Sequence, residues 1–192
     1  MHSRIALLAL LIASAGAAHA SPVVYEIDAK HTFPSFEADH MGGMSTWRGK
    51  FNRTSGTVTL DKIAQEGSVD VTVDIASVDF GLDTMNEHAV DKTILDAAKY
   101  PTATYKGKLD GFSNGSPLRV VGELTLHGIT KPLTLDIKTF KCMQHPKLKR
   151  DFCGADALAT FPRDAFGIDT GKAYGFNMDV TLRIQIEAVA KE

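Results

Sequence analysis

The amino-acid sequence predicts an all-β protein with one short helix, folded as an eight-stranded antiparallel up-and-down β-barrel. Three observations predict it. The chain ends in a long strict alternation, with Phe176, Met178, Val180, Leu182, Ile184, Ile186 and Ala188 separated by Asn177, Asp179, Thr181, Arg183, Gln185 and Glu187. Successive strand side chains point to opposite faces, so this segment has one oily face and one wet face. Shorter versions of the pattern recur upstream, divided by turn signals too short for crossover connections, which makes neighbouring strands antiparallel. About eight such strands close most economically on themselves.

The first twenty residues are set apart. A basic start at Met1 to Arg4, an apolar stretch from Ile5 to Ala15 and the small-x-small sequence Ala18-His19-Ala20 have the layout of an export signal. The apolar stretch is shorter than the 18 or so residues of a membrane anchor. The expected mature chain is Ser21 to Glu192, one domain, with no membrane-spanning segment and a periplasmic location. Arg4 leaves with the signal, so 20 basic residues face 23 acidic ones, a net charge of −3. That balance gives no general attraction to nucleic acid.

The elements follow in order. Val23 to Ile27 opens the mature chain, and Phe33 to Asp39 follows. Arg48 to Asp61 forms a third run with a bend near Ser55-Gly56. Val69, Val71, Val73 and Ile75 alternate with polar residues. Thr84-x-x-Glu87 reads as a capping box, and Met85, Ala89, Val90, Thr93, Ile94, Ala97 and Ala98 fall on one side of a helix that ends at Tyr100-Pro101. Strands resume at Ala103 to Leu109. Next come Leu118 to Leu126 (Leu118, Val120, Leu124 and Leu126 on one face), Leu133 to Lys138 and Ala157 to Phe161. With the charged face of the last strand outward, the barrel is a soluble container; a membrane pore is the rival arrangement.

Cys142 and Cys153 are the two cysteines of the chain. In an oxidising compartment an isolated pair most simply forms one disulfide. Ten residues separate them, which is not a Cys-x-x-Cys redox spacing, and two sulfurs make a poor zinc site even with His145 between them. The intervening segment carries Lys147, Lys149 and Arg150, with Lys141 just outside. This is a cationic loop that suits either a head group, a membrane surface or plain solvation.

Several stretches together resemble the YceI-like family of exported polyisoprenoid-binding proteins. They are Asp28-x-x-His31-Thr32, His40-Met41-Gly42, Arg48-Gly49-Lys50-Phe51, Ser55-Gly56-Thr57, Asp96 to Thr104, Gly122 to Leu135 and Phe166-Gly167-Ile168. The resemblance spans the mature chain in order. It implies a lipocalin-like barrel whose interior holds a long-chain isoprenoid lipid or an isoprenoid quinone; it does not imply an enzymatic activity or a cofactor beyond that bound lipid.

The lining candidates are Phe33, Phe36, Met41, Trp47, Phe51, Tyr105, Phe161, Phe176 and Met178, because methionine and aromatic side chains offer adaptable or broad apolar surface. His31 and His40 are the polar candidates for the mouth, where a neutral imidazole can hydrogen-bond a carbonyl or phosphate. Each of these residues has a plain structural reading as well. Five mature histidines lack the paired spacing of a zinc protease, and no nucleophile elbow or phosphate-cradling loop occurs. The alternatives are an enzyme acting on a lipid or small metabolite in the same cavity, and a structural or interaction protein with a filled barrel that forms a homodimer.

Overall fold

A computed structural model describes residues 21–192. The export signal expected at 1–20 lies outside the described residues. The strands are β1 Val23–Ile27, β2 Phe33–His40, β3 Ser45–Phe51, β4 Thr54–Asp61, β5 Glu66–Asp74, β6 Val78–Asp79, β7 Thr102–Asp110, β8 Arg119–Leu126, β9 Ile129–Gln144, β10 Asp151–Pro162 and β11 Asp179–Ala190. The sheet order is β1-β4-β5-β7-β8-β9-β10-β11-β2-β3-β6, and a β1–β11 pairing closes it. All the pairings are antiparallel.

The eleven strands make eight staves, because three staves are broken at one level. Both β1 and β2 pair with the same edge of β11, Tyr25 opposite Ala190 and Phe36 opposite Leu182. Likewise β4 pairs with β1 while β3 pairs with β2, and β5 pairs with β4 while β6 pairs with β3. The breaks fall at 28–32, 52–53 and 75–77, side by side, and form a seam across the wall. Side chains replace the missing ladder bonds there. Thr32 Oγ1 accepts from Glu187 N (3.1 Å) and donates to Glu187 O (3.2 Å). Ser77 Oγ accepts from Arg53 N (3.0 Å) and donates to Asp74 O (2.6 Å). Thr32, Thr54 and Ser77 are the buried polar residues among those described, and all three stand at the seam.

Period-two patterning decides which face is inside. On β11, Val180, Leu182, Ile184, Ile186, Ala188 and Ala190 face inward. Arg183 faces outward, where its Nε lies 2.9 Å from Glu37 Oε2 while Arg48 Nε lies 2.9 Å from Glu37 Oε1. An ionic outer face over an apolar interior is the opposite of a transmembrane barrel. A bulge on β9 leaves Lys138 without a partner, since Thr139 pairs with Asp156 and Ile137 with Ala157. It switches the inward parity from odd to even, so Phe140 and Cys142 turn inward, and Cys142 meets Cys153 directly across the ladder. The two are bonded, S–S 2.02 Å.

Four expectations need correction. The stave break comes at Asn52-Arg53, not at Ser55-Gly56, and β4 runs straight through Gly56. Gly56 serves a close approach instead: its φ is +140°, and a Cβ there would lie 2.1 Å from Asp70 O. The helix, α1 Asp83–Val90, is shorter than expected, and Leu82 occupies its N-cap without a side-chain hydrogen bond. Thr84 is therefore inside the helix and builds no capping box. The cysteine segment is a β-hairpin with its turn at 145–150, not a long loop. Leu118 lies just before β8 and is exposed.

Candidate functional site: the apolar lumen

The barrel encloses a cavity of about 160 Å³. That is comparable with apolar cavities that stay dry and take up small hydrocarbons. Its wall runs along β11 from Leu182 to Ala188 and is completed by valines 58, 69, 71 and 73, by Leu124, Leu133, Leu135 and Ile137, and by Ala155 and Ala157. Among the described residues, no Asp, Glu, His, Lys or Arg lines it.

Two packed clusters flank it. At one end Phe161 and Phe166 meet edge to face, centroids 5.1 Å apart, with Val180 against them. At the other end Tyr25, Leu60, Cys153, Ala188 and Ala190 pack together, with Phe112 and Phe140 alongside. Tyr25 is pinned there. Its hydroxyl donates to Asp151 Oδ2 (2.7 Å), which Lys62 Nζ also reaches (2.5 Å). Burial works against the charge on Asp151, but the bonds from Lys62 and Tyr25 prevail and hold its carboxyl below the usual range. Burial and the bond to Asp151 push the Tyr25 phenol upward, so it stays a neutral donor.

Space inside a small barrel comes from what is missing. The inward row of β10 is Cys153, Ala155, Ala157 and Ala159, ending in Phe161. Across the lumen, Gly107 and Gly122 are paired on inward faces, and a Cβ on Gly122 would lie 2.3 Å from Lys106 O. Inward glycines let the wall bend tightly, and inward alanines leave the middle unfilled. This small-residue signal was legible in the alternation of β10, but it goes unnoticed when large apolar residues are sought.

Of the nine lining candidates, Tyr105 contributes to the cavity wall, and its hydroxyl is held by Val120 O (3.0 Å) and Leu133 O (2.8 Å). Phe161 belongs to the end cluster, and Met178 is buried beyond the start of β11. Phe33 lies on the outward parity of β2, under the ammonium of Lys50 (4.8 Å). Met41 sits in the β2–β3 turn, 59% exposed. Phe36, Trp47, Phe51 and Phe176 join Phe80 and His40 in a half-buried aromatic cluster on β2 and β3. Its centroid distances run from 4.7 Å for His40–Trp47 to 6.1 Å for Trp47–Phe80.

The two histidines are separated by the length of β2, roughly 30 Å of extended chain, and do not converge. His31 is exposed, with Nδ1 2.7 Å from Asp28 Oδ2. That bond raises its pKa above the ordinary histidine value. The cationic residues of the 145–150 turn lie at the disulfide end, where Arg150 Nη1 is 3.9 Å from Glu192.

A family model for the YceI-like domain matches residues 25–188, which takes in all eight staves and the lumen. The chain belongs to the YceI-like family. Protein YceI of Escherichia coli is 36% identical over 131 residues, 68% of each chain. Among solved structures, the YCEI protein of Campylobacter jejuni superposes with a TM-score of 0.63 at 25% identity, over 78% of this chain and 88% of that one. A polyisoprenoid-binding domain from Saccharophagus degradans superposes with a TM-score of 0.64 at 16% identity, over 88% and 99%. The YceI-like barrel is thus the common frame, and the inward alanines and glycines give this chain's lumen its shape.

Proposed function

We propose that this YceI-like protein is an exported, single-domain (21–192) periplasmic binding protein for an amphiphilic isoprenoid lipid, a polyprenyl phosphate or an isoprenoid quinone. The observation that carries the reading is a lumen with a carbon surface and with no Asp, Glu, His, Lys or Arg among the described residues that line it. The naming of the Saccharophagus degradans domain for polyisoprenoid binding supports it. The mechanism is desolvation. Each buried methylene of a tail contributes about 0.8 kcal/mol, so several isoprene units give firm binding without a charged contact. Binding is the whole activity, with no covalent step, and side chains must spread to admit a tail longer than the resting cavity. Polar groups outside the lumen select the head group.

Organic extraction of protein purified from its own host, followed by mass spectrometry, tests the proposal. One long-chain isoprenoid per barrel is expected. The variant Ala155→Phe, which fills the middle of the lumen, should melt cooperatively and carry no lipid. Recovery of equal lipid from this variant, or of none from the wild type, would overturn the reading.

A further inference from the structure

Two neighbouring turns at the disulfide end hold large aliphatic side chains out in solvent. Ile63 stands in the β4–β5 turn, 70% exposed, and Leu148 in the β9–β10 turn, 49% exposed. The turns adjoin, because Lys62 Nζ of one reaches Asp151 Oδ2 of the other. The second turn is braced from within. His145 Nδ1 accepts from Lys147 N (3.2 Å) and Leu148 N (3.1 Å). Lys149 N donates to His145 O (2.9 Å), and His145 N donates to Arg150 O (2.7 Å). The His145 ring packs on Phe152, centroids 5.2 Å apart, and the disulfide ties the two strands beneath. A single exposed leucine is ordinary. Two aliphatics on adjoining tips, one of them held out by a built turn, form a surface with a use.

The charge at this end says what the surface meets. Lys147 and Lys149 flank Leu148, both are exposed, and residues 145–150 contain no acid. Most acids nearby are engaged: Asp151 by Lys62 and Tyr25, Asp110 by Arg119, Glu192 by Arg150, and Asp61 by the N–H groups of Ile63 and Ala64. Among the described residues, Lys147 and Lys149 have no acid partner. The net negative charge of the chain does not undo this, since at physiological salt a charge is screened within about 8 Å. The opposite end of the barrel differs. It too exposes apolar side chains, Met41, Met44 and Tyr174. Its segments 39–45 and 163–179, however, carry Asp39, Asp164, Asp169 and Asp179 against Arg163 and Lys172.

We propose that the disulfide end docks the protein on an anionic lipid bilayer, with Ile63 and Leu148 entering the headgroup boundary and Lys147 and Lys149 meeting lipid phosphates. Shallow apolar insertion beside lysines is what that boundary accepts, because the lysine stems lie along apolar surface while their ammonium groups stay at the phosphates. The docking goes beyond the lipid-binding reading and does not rest on it. It does orient the lumen: Leu60 and Cys153 of the cavity wall lie within three residues of these turns, so a docked barrel has that end of its interior against the membrane.

The test is cosedimentation of lipid-stripped protein with vesicles of phosphatidylcholine alone or with about one-third phosphatidylglycerol. The wild type should bind the anionic vesicles at low salt, lose them as salt rises, and ignore the neutral ones. Lys147→Gln with Lys149→Gln should weaken binding about twenty- to thirtyfold, the worth of two cations at a charged surface. Leu148→Ser should weaken it about fivefold, and Ile63→Ser serves equally should that variant fail to fold. Met44→Ser, at the far end, should change nothing. Lys62 is left alone because it holds Asp151. No binding at low salt, equal binding to neutral vesicles, binding that the lysine or aliphatic variants leave intact, or a loss in Met44→Ser as large as in Leu148→Ser would overturn the docking. None of these outcomes touches the lipid-binding reading, which is judged on what the barrel itself carries.

Discussion

At the scale of single residues, the sharpest constraint is Gly56. Any side chain there would strike Asp70 O at 2.1 Å and demand an unfavourable backbone angle. Gly56→Ala should therefore cost about 3 kcal/mol or more in denaturant unfolding, against little change for Gly154→Ala, whose Cβ would meet only ordinary contacts at 3.6 Å. The Asp28–His31 pair gives a pH prediction. A histidine raised in the folded state lends its pairing fully below the ordinary value near 6.5 and loses it as pH rises through the raised one. The His31 ring should therefore titrate above the usual midpoint by NMR and return toward it in Asp28→Asn. Asp151 runs the other way. Its depressed carboxyl contributes above the usual carboxylate range and stops contributing as acid protonates it. Asp151→Asn should destabilise by about 1 kcal/mol at neutral pH, with the gap to wild type shrinking as acid protonates the depressed carboxyl.

At the scale of elements, the β9–β10 hairpin ties three features together: the Lys138 bulge, the disulfide and the alanine row. The bulge turns Cys142 inward, so the bond closes against the lumen and not on the outer surface. Replacing both cysteines by serine should lower stability by about 2–3 kcal/mol. For a domain of this size that is a fall in Tm of roughly 5–10 °C in a calorimetric scan. The hairpin also shows where sequence reading falters. A bulge leaves no mark on composition, so the strand looks finished at Lys138 and the cysteines look like loop residues. The helix fails for a related reason. Thr84 and Glu87 have capping-box spacing, but the helix starts at Asp83, which leaves Thr84 one residue inside it and unable to cap.

At the scale of the whole molecule, most of the barrel was legible because alternation fixes which side of each strand meets water. The terminal strand, the two strands around the Leu126–Ile129 turn and the disulfide pairing all follow from local pattern. The seam did not, since nothing near Asp28, Asn52 or Ala76 reveals that the three breaks will stand side by side. The lumen was only partly legible. Aromatic and methionine residues are the expected lining, yet Phe36, Trp47 and Phe51 gather on the β2–β3 wing, and Ala155 and Gly122 make the room. Large side chains announce themselves in a sequence; a void is announced by small ones at inward positions.

The carbon wall has a further consequence for the conditions under which a guest is held. With no acid, base or imidazole facing the interior, the grip on a hydrocarbon chain has nothing to protonate. Tail affinity measured between about pH 5 and pH 9 should be flat, the Tyr25 and Tyr105 phenols staying neutral throughout. Retention then survives acidification of the surroundings, and release has to be driven by contact with an oilier acceptor, not by a change in proton concentration.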